Sequence, residues 1–243
     1  MKRAHFRFYA ELNDFLPRER RMTAFAHDFS GHRSVRSLIE DLGAPRTEVD
    51  VILINGRSVD FDCPVEDGDM VSVYPVFESL DVTPLTRLRP KPLRQTRFLA
   101  DAHLGRLAAH LRLLGFDTTL AQDEEDAELV ETSRRDRRIL LTRDRELLKH
   151  GSLTHGLFVH ATQPRQQLVE VLHRMDLNRS IRPFSRCLKC NQPLQPIAAE
   201  SVAGRIPPAV AGRYDVFRQC PLCTRIYWPG SHYLRMQRFL ESL

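Results

Sequence analysis

Carboxylates and thiols are the side chains of this 243-residue chain whose spacing points to chemistry. Phe98-Leu99-Ala100 runs into Asp101, and Ile139-Leu140-Leu141-Thr142-Arg143 runs into Asp144. Between them stands a crowd of acids: Asp123, Glu124, Glu125 and Asp126. Two buried-type strands that each lead to a carboxylate suggest a shared metal site at one edge of a sheet. Oxygen ligands suit Mg2+ or Mn2+, and paired ions of this kind stabilise both the attacking and the leaving oxygens of a phosphodiester. Asp101 and Asp144 are the expected direct ligands. Asp126 is the best third because it opens a helix, and Asp123 is a further candidate, directly or through water. Arg143, next to Asp144, is placed to hold a substrate phosphate. The plain alternative is that Asp101 and Asp144 cap the helical turns that follow them, and that the acid crowd only favours a helix N-terminus.

The thiols make a second constellation. Cys187-x-x-Cys190 and Cys220-x-x-Cys223 are two chelating pairs, enough for one tetrahedral thiolate site, so a structural Zn2+ is expected. Redox dithiols are the alternative, but they would leave a short polar segment with too few apolar residues to fold. Cys63 stands alone and reads as a free thiol.

The elements that must position these groups follow from periodicity. Phe6 and Phe8 share one face of an alternating strand, and residues 22–29 can pair with it. Ser34 caps a short helix carrying Val35, Leu38, Ile39 and Leu42, which Gly43 ends. Val51-Ile52-Leu53-Ile54 is a buried strand entering an Asn55-Gly56 turn, and Asp67-Gly68-Asp69 turns into a last strand, Met70 to Phe77. This order fits a ubiquitin-like β-grasp domain over residues 1–81. Pro84, Pro90 and Pro92 make 82–96 a semi-stiff linker. Residues 97–181 alternate strand and helix: strand 97–100, helix 103–114, a short strand near 117–120, helix 126–135, strand 138–142, a helical turn 145–149, strand 156–160 and helix 163–175. Such alternation implies a parallel α/β sheet with ligands at the carboxyl ends of its strands. Residues 182–243 form the cysteine-bearing module, a small sheet. The expected fold class is therefore α/β and multidomain.

Charge is uneven. Residues 1–81 hold 10 basic and 15 acidic side chains, residues 82–181 hold 17 and 13, and residues 182–243 hold 9 and 3. A basic middle and C-terminus attract a polyanion, of which RNA is the expected one. Arg106 and Arg112, on the helix after Asp101, line an RNA path in this reading. Lys189, Arg218 and Arg225 hold RNA from the cysteine module, with Tyr227 and Trp228 available for stacking or, for Trp228 above all, for packing. No apolar run reaches the roughly 20 residues of a membrane helix, and the start of the chain lacks a signal-peptide core, so no membrane contact and a cytoplasmic location are expected.

Several stretches carry family resemblances. The capped helix, the Asn-Gly turn and the Asp-Gly-Asp turn of residues 1–81 resemble the small sulfur-carrier proteins of the ThiS and MoaD type. Those act through a free C-terminal Gly-Gly. Here the last strand runs on through Pro75-Val76-Phe77-Glu78-Ser79, so protein docking or RNA positioning is expected instead. The runs Asp101-Ala102-His103-Leu104-Gly105-Arg106-Leu107-Ala108, Leu111-Arg112-Leu113-Leu114-Gly115-Phe116-Asp117 and Leu140-Leu141-Thr142-Arg143-Asp144-Arg145-Glu146-Leu147 resemble the Mut-7 C-terminal RNase domain, a PIN-like nuclease family. The likeness continues through Arg186-Cys187-Leu188-Lys189-Cys190-Asn191 and Phe217-Arg218-Gln219-Cys220-Pro221-Leu222-Cys223, and ends in Tyr227-Trp228-Pro229-Gly230-Ser231-His232-Tyr233. It implies a metal-dependent ribonuclease of PIN type followed by a zinc ribbon. In it Asp101, Asp126 and Asp144 match the family's acids, and the fourth ligand is left open. The competing expectation is a non-catalytic RNA-binding adaptor whose β-grasp domain docks a protein partner.

Overall fold

The alternation of Lys2–Phe8 becomes strand β1, with Ala4, Phe6 and Phe8 buried on one side. In the computed structural model the described residues are 1–75, 96–122, 124–202 and 204–240. They fall into two compact units, Met1–Gln95 with Glu124–Phe158 and Thr96–Asp123 with Val159–Leu243. Each is taken by itself.

Strand β2 (Phe25–Phe29) pairs antiparallel with β1, and the Phe25 ring stacks 6.4 Å from Phe6 and 6.3 Å from Phe8. Helix α1 (Val35–Asp41) starts at Ser34, whose hydroxyl accepts from the Ser37 N–H, and buries Val35, Leu38 and Ile39. Strands β3 (Val49–Ile54) and β4 (Arg57–Val59) form a hairpin through Asn55 and Gly56, whose φ angles of 51° and 79° are those of a type I′ turn. Asn55 ties this turn to the next one. Its Nδ2 donates to Asp69 at 2.7 Å and its Oδ1 accepts from the Met70 N–H at 2.9 Å. Strand β5 (Met70–Pro75) completes a sheet of order β2-β1-β5-β3-β4, in which β1 and β5 run parallel and the other pairs antiparallel. This is the β-grasp arrangement expected from the sequence. The end of the expected last strand, at Val76 and Phe77, and all but the final residue of the linker expected over 82–96 lie outside the described residues.

The centre of the chain alternates strand and helix. Strand β6 (Arg97–Ala100) pairs in parallel with β7 (Asp117–Leu120), and α2 (Gly105–Leu113) makes the crossover. A 3-10 turn, Ala102–Leu104, precedes α2. Helix α3 (Asp126–Arg135) leads to strand β8 (Ile139–Thr142), and α4 (Arg145–Leu148) leads to strand β9 (Gly156–Phe158), which pairs in parallel with β8. Phe98, Leu99 and Ala100 are buried, as are all four residues of β8. Parallel strands covered on both faces read as continuous apolar runs, which is why these two announce themselves in the sequence. Helix α5 (Pro164–Arg174) lays Leu168, Val171 and Leu172 inward and packs on α2.

Past α5 the chain forms a small antiparallel sheet of β10 (Gln195–Ile197), β11 (Phe217–Gln219) and β12 (Ile226–Tyr227), in the order β10-β11-β12. Helix α6 (Pro208–Ala211) interrupts it and α7 (Ser231–Leu240) follows. The sequence reading expected only a small sheet here. It missed α7, which follows directly on Trp228-Pro229-Gly230.

The β-grasp domain does not stand free within its own unit; two of its 3-10 turns, Ala10–Phe15 and Arg46–Glu48, make the contacts. Phe15 meets Phe158 edge to face at 5.4 Å, and the Arg145 guanidinium lies over both rings. Arg46 donates to the carbonyls of Gly151 and Leu153, and fully buried Glu48 accepts the Phe158 N–H. The fold is thus mixed α/β and multidomain: an N-terminal β-grasp sheet, central parallel strands with their helices, and a C-terminal cysteine-bearing sheet.

Candidate metal centre and catalytic acids

The two cysteine pairs fold as near-repeats of one another. In the first, the Cys190 N–H points to Cys187 Sγ at 3.3 Å, the Asn191 N–H to the Cys187 carbonyl at 2.9 Å, and the Cys187 N–H to the Gln192 carbonyl at 2.8 Å. The second repeats each bond: Cys223 N–H to Cys220 Sγ at 3.5 Å, Thr224 N–H to the Cys220 carbonyl at 3.0 Å, and Cys220 N–H to the Arg225 carbonyl at 3.0 Å. The residue after each pair takes left-handed backbone, Asn191 at φ 62° and Thr224 at φ 57°. Asn enters that region easily; Thr, branched at Cβ, is strained there.

These knuckles bring all four sulfurs within 4.8 Å of one another. Cys187 Sγ and Cys223 Sγ are 3.7 Å apart, and a tetrahedron with zinc–sulfur bonds of about 2.3 Å has an edge of about 3.8 Å. The donor set and the spacing therefore both fit a structural Zn2+. Among the described residues this is the cluster of three or more ligand side chains within reach of one ion.

Tyr227 completes the centre. Its hydroxyl lies 3.1 Å from Cys187 Sγ and accepts the Leu188 N–H at 3.2 Å. Burial opposes ionisation of Cys187, yet hydrogen bonds from Tyr227 and from the Cys190 and Lys189 N–H groups bring its pKa down to about 6. Cys190 goes the other way, up to about 12, through its hydrogen bond with Cys223 and then through burial. Thiols bind a dication as thiolates, so loading the site releases protons. Tyr227 packs against the cysteine cluster, and Trp228 packs against Val202, Ile206 and Phe217. Both aromatic rings are half-buried and pack against the ribbon's core clusters.

The ribbon is bolted to the β6-α2-β7 segment by groups whose importance the sequence did not reveal. Arg112 was expected along an RNA path. It is instead 8% exposed, and its guanidinium donates to the carbonyls of Thr118 at 2.8 Å, Leu188 at 2.9 Å and Lys189 at 3.1 Å. A side chain committed to three carbonyls is a strut, not an RNA contact. Asp117 accepts from Asn191 Nδ2 at 2.7 Å and faces Arg186 at 3.5 Å. Asn191 in turn accepts the Thr118 N–H at 3.0 Å, so the first knuckle adds itself to the edge of β7. Gly115 lets the chain pass close by: at φ 95°, a Cβ there would sit 2.2 Å from the Arg182 carbonyl oxygen.

The acids are placed as follows. Asp101 ends β6, its side chain 15% exposed, and its Oδ1 accepts the His103 N–H at 3.2 Å with the His103 ring nitrogen at the same distance. Asp144 follows β8, and its Oδ1 caps α4 through the N–H groups of Glu146 at 2.8 Å and Leu147 at 3.4 Å. Asp126 is exposed in the first turn of α3. Asp123 lies outside the described residues. The capping alternative is thus realised for Asp101 and Asp144. It does not compete with ligation, because an ionised carboxylate accepts at about four lone-pair sites. Asp101 belongs to one compact unit, and Asp126 and Asp144 to the other. Of the cations named from the sequence, Arg106, Arg143, Lys189 and Arg225 are exposed, and Arg218 lies over the Phe184 ring at 5.6 Å.

Comparison with curated proteins and with solved structures yields no match. A family model described as the Mut7-C RNAse domain matches residues 96–240, and another described as Mut7-C ubiquitin matches residues 1–81. The chain therefore belongs to the Mut7-C family, with a Mut7-C ubiquitin-like domain preceding its RNAse domain.

Proposed function

We propose that the protein is a metal-dependent ribonuclease of PIN type that cuts RNA internally. The observation that carries this reading is the family match over residues 96–240, within which Asp101 and Asp144 each stand just past the carboxyl end of a parallel strand. Ligands collect at that end of parallel α/β structures. Asp101, Asp126 and Asp144, with Asp123 as the fourth, are the residues that would hold Mg2+ or Mn2+; oxygen-only donors suit these hard ions. Such ions, when bound, offset charge developing on the attacking and leaving oxygens of a phosphodiester. Arg143 positions a phosphate beside Asp144, and Arg106, Lys189, Arg218 and Arg225 hold the strand. The zinc site keeps the ribbon folded and takes no part in the chemistry. The β-grasp domain docks a protein partner. No helix among the described residues is long and apolar enough to cross a membrane.

The test is cleavage of labelled single-stranded and structured RNAs with Mn2+, with Mg2+ and with a chelator. An Asp101→Asn/Asp144→Asn double variant runs beside the wild type. Metal-dependent internal cutting that the variant loses is the expected result. Tight RNA binding without cutting, equal in both proteins under every metal condition, would replace the enzyme with an RNA-binding adaptor.

A further inference from the structure

Within the Thr96–Asp123 and Val159–Leu243 unit, a cavity of about 480 Å3 opens between α2 and the start of α5. Its wall consists of Arg106, His110, Gln163, Pro164, Arg165 and Gln166. No carboxylate is among them, so two guanidiniums face the space without an acid in the wall to neutralise them. Arg165 is set in place by the Phe239 ring, over which its guanidinium lies at 5.3 Å. The N-terminus of α5 adds to the same field. Its N-cap residue Gln163 makes no side-chain cap bond and Pro164 occupies the first turn, so the Arg165 and Gln166 N–H groups are left for a ligand. Two cations and open backbone donors, all at one cavity, call for an anion with several acceptor oxygens.

We propose that this cavity is a phosphate-binding subsite for an RNA strand, with Arg106 and Arg165 as its charged contacts. The proposal rests on the reading of the protein as one that acts on RNA, and it names where a phosphate of that RNA is held. A guanidinium presents paired donors that match a phosphate's oxygens, and two of them lining one cavity fix a backbone phosphate without reading a base.

The experiment is anisotropy of a 3′-labelled short oligouridine without added divalent ion, titrated with salt, using the full chain. The Arg106→Gln/Arg165→Gln variant is expected to bind about tenfold more weakly, and its log affinity to fall less steeply with log salt, by about 0.7 for each phosphate no longer neutralised. An Arg106→Lys/Arg165→Lys variant is expected to keep the wild-type slope, which a packing defect would not allow. Stronger binding of a 5′-phosphorylated strand than of a 5′-hydroxyl strand would assign the subsite to a terminal phosphate, and equal binding to an internal one. Wild-type affinity and slope in the glutamine variant, or no RNA binding by the wild type, would overturn the proposal. Cleavage is scored separately on the wild type with Mn2+. Cutting without any effect of the glutamine pair removes the subsite and leaves the ribonuclease; a loss of binding in that pair with no cutting by the wild type removes the ribonuclease and leaves the subsite.

Discussion

Replacing Arg112 by Met keeps an unbranched side chain in its place and deletes the guanidinium that joins α2 to the first zinc knuckle. Three charge-assisted bonds go, to the carbonyls of Thr118, Leu188 and Lys189. At about 1.5–3 kcal/mol each the gross loss is large, but two corrections reduce it. Leu188 is half-buried and Lys189 exposed, so their carbonyls regain water, whereas Thr118 is fully buried. The variant also escapes the desolvation of a buried cation, a cost of several kcal/mol in its own right. The net expectation is about 2–4 kcal/mol. Because Leu188 and Lys189 lie between the two ligands Cys187 and Cys190, that loss falls on the metal-bound state, and zinc affinity should drop by about 30-fold or more at 1.4 kcal/mol per decade. Competition against a chromogenic chelator measures it, and a urea titration of the same protein measures the fold. Arg112→Lys, with one compact ammonium in place of the planar fork, should fall between. Zinc affinity within threefold of wild type and an unchanged urea midpoint in Arg112→Met would refute the argument that this buried arginine holds the knuckle.

Gly115→Ala should destabilise by more than about 1 kcal/mol, since the residue sits at φ 95° and the new Cβ would press on the Arg182 carbonyl and Ser185 hydroxyl; urea denaturation reads it. Glu48→Ala strands the buried Phe158 N–H and should cost about 1–3 kcal/mol, whereas Glu48→Gln keeps an acceptor and should cost less. Hydrogen exchange at the Phe158 amide reports the effect directly. His27 and His110 both have pKa values lowered below 6.5, chiefly by burial. The unfolded chain therefore binds protons at these rings before the folded one does, so stability present above pH 6.5 is lost as pH falls through that value toward the folded pKa of each ring. Urea midpoints taken along a descending pH series should fall, and the His27→Gln/His110→Gln variant should flatten that decline.

What could be read from the sequence was what local chemistry dictates. Helix α3 begins at Asp126, as the acids before it require, and the I′ turn sits on Asn55-Gly56 because few other dipeptides tolerate two positive φ angles. Strands β6 and β8 were legible as unbroken apolar runs. The cysteine spacing sufficed to bring the four thiols together as one candidate metal centre. Arg112 was misread for a reason that applies widely. A lone arginine on an amphipathic helix looks solvated, and the carbonyls that bury it lie as far as 77 residues away in sequence. Asp117, Tyr227 and Glu48 share that difficulty, because each has a partner that only the fold supplies. A faint signal was present for Asn191, since an Asn directly after a Cys-x-x-Cys pair is suited to the left-handed backbone found there.

Those long-range contacts explain why a small nuclease-type segment carries an appendage at each end. The stretch bearing Asp144 runs from α3 to β9, and 3-10 turns of the β-grasp domain pack on it: Phe15 meets Phe158, with Arg145 of α4 over both rings, Glu48 satisfies the Phe158 N–H, and Arg46 gathers the loop carbonyls of Gly151 and Leu153. The stretch bearing Asp101 runs from β6 to β7, and the zinc ribbon holds it: Arg112 reaches back to the knuckle, while Asn191 and Arg186 converge on Asp117. Each appendage thus braces a segment that carries one of the two strand-end acids. A carboxylate that must stay within a few tenths of an ångström of its working position needs a backbone that does not open locally, and short strands of three or four residues do not provide that by themselves. On this argument, loss of zinc should loosen the β6-α2-β7 amides in hydrogen exchange and spare those of β8 and β9. Glu48→Ala should do the reverse. Uniform loosening in both cases would mean that the appendages stabilise the chain as a whole and do not brace its acids one segment at a time.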